Sequence, residues 1–81
     1  MRITLNNTEY KQLNTNEENF VLQNLGNYVA FVVKASAKPA NDAQPDILLN
    51  PYDGINNNIV TGKFWGKSSV DSTIDIGLLE E

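Results

Sequence analysis

Two short stretches hold most of the residue types that could do chemistry: Pro51-Tyr52-Asp53-Gly54 and Lys63-Phe64-Trp65-Gly66-Lys67-Ser68-Ser69. The chain contains no histidine and no cysteine, so neither a Ser-His nor a Cys-His nucleophile can be assembled. Lys67 beside Ser68 and Ser69 supplies the types of a Ser-Lys dyad. Adjacent loop residues are seldom oriented as nucleophile and base, and nothing around Lys67 signals a buried lysine. Carboxylate pairs exist in Asp42 with Asp46, Asp71 with Asp75 and Glu80 with Glu81. Glycoside chemistry needs such a pair across a cleft, which a chain of this size seldom supplies; solvated surface charge explains them. Asp42, Asp46 and Asp53 could ligate Ca²⁺ with loop carbonyls, but their spacing departs from the EF-hand loop. They read more simply as turn residues. The sequence therefore predicts a protein that is not an enzyme, with no cofactor and no metal site.

Binding is the chemistry that remains. Phe64 and Trp65 are adjacent, so in a strand they point to opposite faces. One belongs to the core; the other is exposed or meets a partner, where Trp and Tyr serve as anchors. Tyr52 with Trp65 could also form a sugar-stacking platform. Lys63 and Lys67 flank the aromatic pair as a local basic patch. Tyr52, Phe64, Trp65, Lys63 and Lys67 are thus the candidate interface or ligand contacts. Nucleic acid is not an expected partner: the net charge is −4 and the six basic residues are scattered.

The elements that must position these residues are short strands. Arg2 to Leu5 alternates, Asn6-Asn7 turns, and Thr8 to Leu13 is a second strand or a single helical turn. Phe20 to Leu25 and Tyr28 to Ser36 follow, the latter apolar on both alternations across Val29 to Val33. Such a strand must be covered on both faces. Residues 37–46 carry Pro39 and Pro45 and read as a long surface connection, since proline lacks the ladder donor. Ile47-Leu48-Leu49 ends at the turn Asn50-Pro51-Tyr52-Asp53-Gly54. Ile59-Val60-Thr61 and Lys63 to Lys67 read as further strands, and Thr73 to Leu79 alternates with Ile74, Ile76 and Leu78 inward. Six to eight short strands without an amphipathic helix predict an all-β fold, a single small antiparallel β-sandwich of jelly-roll or Ig-like form. One domain spans residues 1–81, with 1–19 an N-terminal arm or first strands and 20–81 the core. The core reading is Ile3 or Leu5, Phe20, Leu22, Val29, Phe31, Val33, Leu48, Ile59, Ile74, Ile76 and Leu78.

Eighty-one residues bury a small core, and such domains usually add disulfides, a metal or oligomerisation. Cysteine and histidine are absent, which leaves oligomerisation. No run reaches the ~20 apolar residues of a membrane helix, and the N-terminus lacks the apolar core of a signal peptide. The sequon Asn6-Asn7-Thr8 is read as chance.

Residues 20–80 resemble small β-sandwich virion proteins of tailed phages. The resemblance lies in the strand Tyr28 to Ser36, the Pro-containing loop, Ile47 to Gly54, the Trp strand Gly62 to Lys67 and the closing strand Ser72 to Glu80. It implies a capsid decoration protein or head-fibre base, made in the host cytoplasm and carried in the virion. The implied partner is the major capsid or another virion protein, and the implied assembly is a homotrimer. Neither nucleic acid nor membrane is implied. The alternatives are a carbohydrate- or surface-binding module and a small phage inhibitor of a host protein.

Overall fold

The computed structural model describes residues 1–56 and 61–80. Among the described residues eight strands form: β1 (Arg2–Leu5), β2 (Lys11–Gln12), β3 (Phe20–Asn24), β4 (Ala30–Lys34), β5 (Ile47–Leu49), β6 (Gly54–Asn56), β7 (Phe64–Ser68) and β8 (Ile74–Glu80). All pairings are antiparallel, in two four-stranded sheets ordered β1-β8-β3-β6 and β2-β7-β4-β5. These interleaved orders are the two-sheet, double Greek-key arrangement of a jelly roll. The segment Thr8 to Leu13 resolves in favour of a strand, the two-residue β2. The expected strand at Ile59-Val60 and the core place of Ile59 lie outside the described residues.

The core lies between the sheets. β8 alternates as its sequence demands, with Ile74, Ile76 and Leu78 buried. Leu5, Phe20, Leu22 and Ile55 join them from the first sheet. From the second sheet come Leu13, Ala30, Val32, Leu49 and Phe64. Phe20 and Phe64 meet across the sandwich with ring centroids 5.6 Å apart. Gly66 lets the sheets close: a Cβ there would stand 3.0 Å from Leu5 Cδ1 and 3.1 Å from Leu13.

The frame of β4 corrects the sequence reading. Val29, Phe31, Val33 and Leu48 are expected in the core, yet the central cluster takes Ala30, Val32 and Leu49. Val33 is buried as expected, but on the opposite side of the sheet; Phe31 lies half-buried on that side, and Leu48 is exposed. The register explains the shift as one event. Ala30 pairs with Leu49 and Ser68, and Phe31 with Leu48 and Lys67, so a one-residue choice of frame sets all these positions. With apolar residues on both alternations, β4 has no polar face to fix that choice from within.

Residues 35–46 cover the outer face that Phe31 and Val33 present. Asp46 N–H donates to the Val32 carbonyl at 2.8 Å, and the Asp46 carboxylate accepts from Lys34 N–H at 2.9 Å. Tyr10 donates its hydroxyl to the Ala43 carbonyl at 2.8 Å. The second cover that β4 requires is therefore a strap of its own chain.

Candidate functional site

The five residues singled out in the sequence divide between inside and outside, and between the two sheets. Phe64 points inward and is buried, while Trp65 and Lys67 lie on the outer face of the second sheet. Trp65 is half-buried, and its indole Nε1 donates to the Ala35 carbonyl at 2.9 Å. Lys67 Nζ sits 5.0 Å from the Tyr10 ring centroid and 5.9 Å from that of Phe31, and donates to the Asn41 carbonyl. Burial raises the Tyr10 hydroxyl above its ordinary value of 10.0, and the Asp46 charge adds to the effect. Lys63 is half-buried and its carbonyl accepts from Ala35 N–H. Trp65, Lys67 and Lys63 thus anchor the strap that covers their face.

Tyr52 belongs elsewhere. It follows Pro51 in a turn closed by Asp53 N–H donating to Asn50 O at 2.9 Å. Its φ of 68° is the left-handed conformation that a turn of this kind usually gives to glycine. Its ring is exposed beside Val21, Gln23, Gly54 and Asn56, on the outer side of the first sheet. Tyr52 and Trp65 therefore serve opposite sheets, and the stacking pair considered from sequence is not brought together.

Among the described residues the acidic candidates do not converge, and Glu81 lies outside them. Among the described residues no group of three or more His, Cys, Asp or Glu is placed to hold a metal ion. Asp53 accepts from Asn50 N–H. Asp75 accepts from Thr4 Oγ1 at 2.8 Å and lies 3.9 Å from Arg2. Ser68 is buried on the inner side of β7 and donates to Val70 O, opposite in direction to Lys67, so no Ser-Lys dyad forms there. The Glu80 carboxylate accepts from the N–H groups of Thr15 and Asn16 and from Thr15 Oγ1. The Asn16 hydrogen bond leads in holding its pKa below the ordinary 4.5. Among the described residues no helix is long and apolar enough to cross a membrane.

Apart from Tyr52, the sequence reading left the bare outer face of the first sheet unmarked. Met1 is 73% exposed, Leu79 71%, Tyr52 68% and Val21 47%. Gly77 lies among them and floors a shallow depression of about 250 Å³ walled by Val21, Gln23, Leu25 and Leu79. The sequence signals were present at Val21 and Leu79, which occupy the outward alternation of strands whose other alternation fills the core. β5 is a weaker candidate: Ile47 and Leu48 are exposed, but Pro45 and Pro51 bracket this short edge strand and limit strand addition.

No protein-family model, no curated protein and no solved structure matches this chain.

Proposed function

We propose that this protein is a non-catalytic structural module that acts through protein–protein contacts. The observation that carries the reading is the uncovered apolar face of the first sheet, in a domain whose other outer face is partly covered by its own strap. Apolar area of this kind, rimmed by polar groups, marks interaction surfaces in small soluble domains.

Within that reading we propose a virion component, decorating or reinforcing a phage capsid. The sequence resemblance supports it, and so does the jelly-roll strand order, an arrangement used by viral capsid domains. Lectin domains use the same arrangement, but the separation of Tyr52 from Trp65 removes the stacking pair that favoured a sugar ligand. The test is to purify virus particles from cells producing the chain on a density gradient and quantify it by mass spectrometry. The reading requires the chain in the particle band at a fixed ratio to the major capsid protein. Its confinement to the soluble fraction would overturn the virion role.

A further inference from the structure

The outer face of the first sheet carries a two-fold pattern, and we infer that its occupant is a second copy of this chain. Pairing register places the outward residues in three rows across β1, β8, β3 and β6. The middle row is Arg2, Gly77, Gln23, Gly54: large, small, large, small. The row toward the C-terminus of β8 has Leu79 beside Val21 and then Asn56. On the other side Thr4 and Asp75 pair, Leu25 N–H donates to the Asp75 carbonyl, and Tyr52 N–H donates to the Asn24 carbonyl.

A two-fold axis running along the strands between β8 and β3 inverts the order of each row. Gln23 of one copy then lies over Gly77 of the other, and Arg2 over Gly54. Leu79 lies over Val21, twice. Each large side chain of the middle row lies over a glycine position, with Leu25 leaning over Gly77 and the Gln23 amide donating to the Tyr52 carbonyl of its own chain, and the apolar pair meets itself. A sheet pair built this way is the aligned packing of β-sandwiches, rotated by about 30°, so the pairs nearest the axis dominate. Those are Leu79 with Val21 and Gln23 with Gly77.

Charge admits the same occupant. The chain carries a net −4, so most of its surface repels a second copy. On this face the charges of the three rows are Arg2 and Asp75, and they offset one another; Asp75 is also engaged by Thr4. The inference rests on the reading of this face as a protein–protein contact surface and names its occupant; the virion role is tested separately, by the chain's presence in purified particles.

The experiment combines light scattering after size exclusion with cross-linking. The wild-type chain should show twice the 9.0 kDa mass of one chain at high concentration. Leu79→Arg and Val21→Arg alter exposed side chains and should return the mass to one chain with unchanged circular dichroism. The chain has no cysteine, so Val21→Cys and Leu79→Cys can be mixed and oxidised. Mixed disulfide dimers should then exceed either homodimer several-fold. A monomer at every concentration, a trimer, a mass indifferent to both arginine variants, or homodimers forming as readily as mixed dimers would each overturn the inference.

Discussion

The side-chain amide of Asn24, buried at the end of β3, donates to the Leu49 carbonyl of β5 in the opposite sheet at 3.0 Å. The same amide donates to Tyr28 O at 2.8 Å, and its oxygen accepts from Gly26 N–H at 2.8 Å. Its main chain bonds to Tyr52 and Asp53. One residue therefore ties both sheets to two turns. Asn24→Ala removes this amide donor from the buried Leu49 bond and the part-buried Tyr28 bond, and urea unfolding should show a loss of about 2–3 kcal/mol. Asn24→Asp should be no better, because it replaces the donor with an acceptor facing two carbonyls. A loss below about 0.5 kcal/mol in Asn24→Ala would show that water replaces the amide without penalty.

The strap over the second sheet should loosen in alkali. Tyr10 titrates above 10.0 in the folded protein because burial disfavours its phenolate. The unfolded chain releases this proton first, so the stability tied to it is intact below pH 10 and declines as pH rises through the raised value. Tyr10→Phe should lose about 1 kcal/mol at neutral pH with the Ala43 hydrogen bond. It should also lose less stability between neutral pH and pH 11 than wild type does. Parallel curves for the two proteins would sink the assignment.

Glu80 has the opposite pH signature. Its carboxylate is held below 4.5 chiefly by the Asn16 N–H bond, so its contribution is present above that value and fades as pH falls through the lowered one. Glu80→Gln should be less stable than wild type at pH 7, and the two should converge as pH drops below 4.5. A constant difference across that range would mean that Glu80 acts through packing and not through charge.

Tyr52 holds a left-handed backbone without burying its ring. That conformation costs a non-glycine residue roughly 1–2 kcal/mol. Tyr52→Gly relieves it against some gain in unfolded-chain entropy, so thermal unfolding should show unchanged or higher stability, by up to ~1 kcal/mol. A clear drop in stability would show that the ring packs against the fold after all.

The sequence shows most where one face differs from the other. Ile74, Ile76 and Leu78 against Thr73, Asp75 and Gly77 leave one frame open, and β8 takes it. Phe20 and Leu22 behave alike. β4 is apolar on both alternations, and the small Ala30 gives no hint that it, and not Phe31, enters the core. That choice depends on residues 35–46 folding back onto the outer face, a long-range event that local pattern does not encode. Asparagine is usually a turn residue, which hides the two buried ones. Asn14 accepts from Phe64 N–H at 2.9 Å and donates to Gly62 O at 2.8 Å, and Asn24 links the sheets. Of the candidate contacts, alternation separates Phe64 from Trp65, but only the fold assigns Tyr52 and Trp65 to different sheets.

The bare face of the first sheet is the surface through which we propose that this protein associates. The most direct measurement is a dilution series of amide chemical shifts by NMR. Concentration-dependent shifts should concentrate at Val21, Gln23, Gly77 and Leu79, with the strap residues 35–46 unmoved. Shifts confined to the strap, or none over the accessible range, would contradict it.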